Sequence, residues 1–197
     1  KTSFKIPQPV QWPLYQLLQK ENQLMLSRIN LIWLLGALLL VRILAMVLVP
    51  FADTTEPRYA EIARLMMTSN DWITPWFEPG VPFWGKPPLS FWAQALAFKL
   101  FGVNEFAGRL PALLAFIATA WMVWRLAISV ASQDVAAAAV VVYAGMLLTF
   151  VAAGTVMTDP YLALGTTWAM VAFYLAPKED VWYWRYGFFI GLAIGLL

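Results

Sequence analysis

Residues 51–109 hold six of the chain's eleven acidic residues and five of its thirteen basic ones, between stretches that are almost purely apolar. Any chemistry is therefore sought there first. The segment opens on Asp53-Thr-Thr-Glu56-Pro-Arg58-Tyr59-Ala-Glu61-Ile-Ala-Arg64, directly after an apolar run long enough to cross a bilayer. So much charge must lie outside the hydrocarbon, at the water interface. Asp53 ends one apolar run and Asp159 ends a later one, so the two can converge on one outward-facing pocket, where a carboxylate can act as general base on an acceptor hydroxyl. The alternative role for each is to cap a helix. The second half of the segment, Pro82-Phe-Trp-Gly-Lys86-Pro87-Pro88, carries one lysine among aromatic residues, and its proline pair stiffens the backbone that aims the ammonium. Lys86, Arg58 and Arg109 are cations of one region, and such groups stabilise charge building on a departing phosphate, as in a lipid-linked phosphate ester. Their alternative role is headgroup binding. Glu61 and Arg64 read as a surface pair.

Composition sets the setting for this chemistry. The 197 residues are 61% hydrophobic and 12% charged, against about 45–50% and about 25% in a soluble domain. This is an integral membrane protein. A net charge of +2 with scattered bases excludes nucleic acid as a partner. Without Cys or His there is no disulfide, thiolate nucleophile, imidazole base or common zinc site, so acid and base work falls to Asp, Glu, Lys or Tyr.

The elements that must position these residues follow from periodicity. Residues 1–29 form a polar segment placed on the cytoplasmic side. Residues 31–51 make a 21-residue apolar run, near the ~20 residues that span a bilayer. Arg42 lies within that run and must face protein or a wet cavity, either as a deep anion contact or as a structural partner. Pro57, with Thr55 or Glu56 as cap, starts a surface helix whose Tyr59, Ile62, Ala63, Met66 and Met67 recur at helical spacing. Pro87-Pro88 opens a second, with Leu89, Trp92, Ala93, Leu96 and Leu100 on one face and Gly102 as its stop. Residues 110–131, in which Arg125 snorkels to the interface, and the uncharged 135–158 make an antiparallel pair of spans. Residues 161–177 form the fourth span, and Lys178 to Arg185 return the chain towards a fifth, within which it ends. Because the chain also begins on Lys rather than Met, it reads as a fragment. The positive-inside rule places Arg125, Lys178 and Arg185 in the cytoplasm, and Asp53 and Asp159 together outside.

The ordered motifs Asp53 to Arg64, Asp71-Trp-Ile-Thr-Pro75, Val81-Pro-Phe-Trp-Gly-Lys86-Pro-Pro-Leu and Phe101-Gly-Val-Asn-Glu105-Phe-Ala-Gly-Arg109-Leu-Pro111 resemble the bacterial aminoarabinose transferase and protein-mannosyltransferase-related family. The resemblance implies an all-α, polytopic GT-C membrane glycosyltransferase. Such an enzyme takes a sugar from a polyprenyl-phosphate donor and transfers it with inversion to a periplasmic acceptor: lipid A, a glycan or a protein. It further implies that Asp53 is the first-loop acid, that Arg58, Tyr59 and Lys86 line the donor phosphate site, and that Asp159 is the second acid. Two positions depart from the family. The first aspartate usually stands three residues before the Arg-Tyr pair, where this chain has Thr55, so Asp53 and Glu56 compete for its role. The residue before the lysine, usually a metal-linked Glu, is Gly85, which does not support a divalent metal. The expectation is therefore the N-terminal part of an inner-membrane sugar transferase, inactive as a fragment. The competing class is a non-enzymatic transporter or assembly subunit that binds lipid headgroups.

Overall fold

A computed structural model describes residues 28–52 and 54–197; the polar segment expected at the N-terminus lies almost wholly outside the described residues, and so does Asp53. The described chain is built of helices, with one two-residue-paired hairpin: α1 Arg28–Leu48, α2 Thr55–Ser69, β1 Trp76–Glu78, β2 Val81–Pro82, α3 Leu89–Phe101, α4 Glu105–Val130, α5 Gln133–Gly145, α6 Leu147–Ala152, α7 Asp159–Leu175 and α8 Trp182–Leu196. Helix α4 is the central post, in contact with α1, α3, α5, α6 and α7.

Length and apolarity suit α1 and α4 to crossing a membrane. The span expected over 135–158 is instead broken. Helix α5 ends at Gly145, Met146 adopts extended backbone, and six-residue α6 follows before a turn. The freed polar groups are satisfied locally, since the Thr149 hydroxyl donates to the carbonyls of Tyr143 and Met146. Arg42 packs against the short helix that follows: it donates to the Val151 carbonyl and lies 5.6 Å from the Phe150 ring centroid. Of its two expected roles, the structure shows the structural one. Gly154 makes room, for a Cβ there would meet the Arg42 Nε at 2.2 Å.

Three apolar clusters fill the molecule from end to end. Tyr59, Ile62, Met66, Phe91 and Phe98 join α2 to α3. Met46, Leu113, Phe116 and Ala144 join α1, α4 and α5. Met122, Val171, Leu175 and Trp184 join α4, α7 and α8. At this last end Arg125 does not snorkel freely: its Nη2 donates to both oxygens of Glu179 at 2.8 Å, and the Trp184 indole donates to the same carboxylate.

Helices α7 and α8 approach backbone to backbone. A Cβ on Gly165 would lie 2.4 Å from Gly195 N, and one on Gly191 would lie 2.5 Å from Ala169 N. Glycines 187, 191 and 195 recur every four residues along α8, the spacing by which membrane helices pack closely. Gly191→Ala should therefore lower stability by about 1–3 kcal/mol, as overpacking does, because the atoms it meets are backbone. Thermal unfolding of the full-length protein in detergent measures this, and an unchanged midpoint would mean that the helices separate at little cost.

Candidate active site

The outer segment folds on its buried apolar side. Helix α2 presents Tyr59, Ile62, Ala63 and Met66 at the expected spacing, all buried, and Asn70 ends it in the left-handed conformation. It begins one position before the expected caps, with Thr54 as N-cap. Tyr59, Phe83 and Phe91 form a ring cluster with centroids 5.5–6.0 Å apart, a separation at which tilted and edge-on aromatic pairs attract. Asp71 then organises the next turn: it accepts from the Ile73 and Thr74 amides and from the Trp76 indole. The Thr74 amide first, then the Trp76 indole and the Ile73 amide, hold its carboxyl below the ordinary aspartate range. The Trp92 indole donates to the Trp72 carbonyl at 2.6 Å, which fixes this turn to α3. The chain then reverses at Gly80 (φ +86°) and returns through β2 to Lys86.

A buried ion pair locks the segment to the helices. Arg109 Nε donates to Glu56 Oε1 at 3.0 Å and its Nη2 to Oε2 at 2.7 Å. Nη1 donates to the Met46 and Val49 carbonyls, and Nη2 also to Pro50. All five guanidinium N–H groups are thus used, three of them on carbonyls at the C-terminal end of α1 that a helix cannot satisfy itself. The Glu56 carboxylate is filled as well, since Oε1 accepts from the Val156 amide and Oε2 from the Ala52 amide. Burial alone would push this carboxyl up, but the Arg109 bonds and the two amides outweigh it and hold it below its usual value. Glu56 and Arg109 are 5% and 3% exposed. The expectation that Arg109 faces a departing phosphate is thereby corrected, because it has no donor left to offer.

The structure brings Lys86 and Asp159 together. Both line a cavity of about 130 Å³, along with Ser90, Thr158 and Tyr161. Lys86 and Asp159 are exposed at its rim, while Ser90 and Tyr161 are buried. Asp159 begins α7 and is followed by Pro160 within the first turn, where a carboxylate is favoured by the helix dipole. The Leu89 amide, at the start of α3, donates to the Leu197 carbonyl at 2.8 Å, and both residues line the cavity.

Arg58 lies elsewhere, in a separate groove with Glu61, Arg64 and Glu78, its guanidinium 5.9 Å from the Phe77 ring centroid. Glu61 and Arg64 pair at 2.7 Å, as expected for that helix face. Tyr59 is 7% exposed within the ring cluster, where its ring meets Phe83, three residues before Lys86. Ser90 and Tyr161 carried no role in the sequence reading. The available signal was a hydroxyl placed one helical turn after Lys86 and another two residues after Asp159. At Gly85, where the family usually has a metal-linked Glu, a Cβ would come 2.8 Å from Phe83 Cζ, and no three carboxylates converge among the described residues. Among the described residues this loop offers no donor set for a metal.

Residues 85–197 match the family described as dolichyl-phosphate-mannose-protein mannosyltransferase. The chain belongs to that family. Its curated relatives include undecaprenyl phosphate-alpha-4-amino-4-deoxy-L-arabinose arabinosyl transferases, 31% identical in Yersinia pestis and 36% in Edwardsiella ictaluri over 144 residues. Each alignment covers 72% of this chain and 26% of the relative, so the chain spans about a quarter of their length. The apo crystal structure of ArnT from Cupriavidus metallidurans superposes with a TM-score of 0.72 at 21% identity, over 83% of this chain and 31% of that one. The fold is therefore that of the family's membrane glycosyltransferases.

Proposed function

We propose that the chain is the N-terminal, site-bearing part of an inverting membrane glycosyltransferase that uses a polyprenyl-phosphate sugar. The observation that supports this reading is that Lys86 and Asp159, a cation and a carboxylate, line one cavity. The relatives' names point to an undecaprenyl-phosphate donor. In the reaction an acceptor hydroxyl attacks the anomeric carbon, its proton passes to a carboxylate, and the bond to the phosphate oxygen breaks with the electron pair leaving on polyprenyl phosphate. Lys86 neutralises that leaving group. Asp53 takes the proton and Asp159 is the supporting carboxylate. Glu56, with every acceptor position filled, is a positioning residue. Tyr59 holds Phe83 and so the Lys86 loop, and Arg58 serves the anionic donor from its own, separate groove. Lipid A, a glycan or a protein supplies the hydroxyl. The protein crosses the inner membrane several times with this cavity facing the periplasm.

Lys86→Ala in the full-length protein tests the reading. Turnover of an undecaprenyl-phosphate sugar should fall about 10²–10³-fold, the range for loss of one charge-stabilising group, and affinity for the donor should fall with it. Normal turnover at an unchanged protein level would assign Lys86 to headgroup anchoring.

A further inference from the structure

Beneath the charged rim of the cavity, two buried hydroxyls find no hydrogen-bond partner among the described residues. They are Ser90 Oγ, on a residue 2% exposed, and Tyr161 Oη, on a residue 8% exposed. A hydroxyl taken from water without a partner costs roughly 1–3 kcal/mol by protein mutational data, and neither position requires one for packing. Ser90 lies in the first turn of α3 and Tyr161 in the first turn of α7. Phe or Ala would fill the same apolar space. The two line one cavity from different helices, together with Lys86 and Asp159.

We propose that Ser90 and Tyr161 donate hydrogen bonds to the phosphate group of a lipid-linked phosphate, which is held between them and Lys86. This rests on the reading of the cavity as a donor site and adds the residues that bind the phosphate from within. The size agrees, since a cavity of about 130 Å³ has room for a phosphate group. The chemistry agrees too. Both hydroxyls are neutral donors, and a neutral donor at the buried end with an ammonium at the exposed end binds a phosphate without burying an unpaired charge.

Tyr161→Phe and Ser90→Ala in the full-length protein test this, with binding of undecaprenyl phosphate, phosphatidylglycerol and inorganic phosphate measured in nanodiscs beside thermal unfolding without ligand. Each variant should weaken undecaprenyl phosphate about 10- to 100-fold, as expected for a hydrogen bond to a charged group. Its unliganded melting temperature should stay level or rise, since an orphaned hydroxyl has been removed. A purely structural role moves melting temperature down and leaves affinity alone, which overturns the proposal. Equal weakening for phosphatidylglycerol also overturns it, since the site would then be a general headgroup contact, whereas weakening shared with inorganic phosphate supports it. If both variants weaken undecaprenyl phosphate but the wild type turns over no lipid-linked sugar, the phosphate site stands and the transferase reading fails. If turnover is present and both variants bind normally, the reverse holds.

Discussion

Arg109→Met in the full-length protein will lower the free energy of unfolding by about 3–5 kcal/mol, the cost of removing one partner from a buried ion pair. The loss is large because the guanidinium satisfies two segments at once. Without it Glu56 keeps two amide donors but becomes a buried anion without a counter-charge, and the Met46, Val49 and Pro50 carbonyls lose their donor. Glu56→Leu combined with Arg109→Met should be less damaging than Arg109→Met alone, because no orphaned charge remains. Chemical denaturation in detergent measures all three proteins, and a single variant as stable as wild type would show that the pair bears no part of the outer segment's docking. The pair also sets an acid limit. The Glu56 carboxyl titrates lower folded than unfolded, so its contribution is complete above the unfolded value and is lost as pH falls through the folded one. Stability should decline in the acid range below the usual glutamate value of 4.5, and Arg109→Met should remove that slope.

Asp53→Asn should slow sugar transfer by about 10²–10⁴-fold while leaving donor affinity and thermal stability close to wild type, the signature of a lost general base. Asn keeps the size and capping ability of Asp but cannot take the proton. Asp159→Asn should have a smaller effect on rate, since Asp159 opens α7 and the dipole term there is worth about 0.3–1 kcal/mol. Single-turnover kinetics with saturating donor separate chemistry from binding. If Asp53→Asn is active and Asp159→Asn is not, the base is the carboxylate that shares the cavity with Lys86. Glu56→Gln supplies the contrast, for its effect should appear in unfolding before it appears in rate.

The helices themselves were legible in the sequence, because length, capping residues and the charged breaks between apolar runs mark them. Their faces were less so. On α3 the sequence puts Leu89, Trp92, Ala93, Leu96 and Leu100 on one face without saying what that face meets, and Leu96 is 51% and Leu100 66% exposed, while Ser90 and Gln94 are 2% and 1% exposed. Where the surroundings are lipid, apolar side chains need no protein cover, and it is polar and small groups that gain by turning inward. Hydrophobic periodicity then points outward. The same physics explains α8, whose packing follows glycines rather than leucines. The break at Met146 was missed because an unbroken apolar run carries no mark of where its helix bends. Arg109 was misread for another reason: its partner stands 53 positions away, and spacing within one motif says nothing about it. Lys86 and Asp159 stand out from their apolar neighbours in the sequence, but their meeting in one cavity depends on the packing of helices far apart in the chain.

The Glu56 carboxylate also sets an order of events during synthesis. Its second amide donor, Val156, lies 100 residues further along the chain. At roughly 5–20 residues per second, the glutamate emerges about 5–20 seconds before its last donor does. Arg109 arrives about midway, before the turn after α6. The outer segment is therefore first tethered and only later sealed. Until then the Lys86 loop is free of α7, so the cavity that Lys86 and Asp159 share is among the last parts of this region to exist in the growing protein.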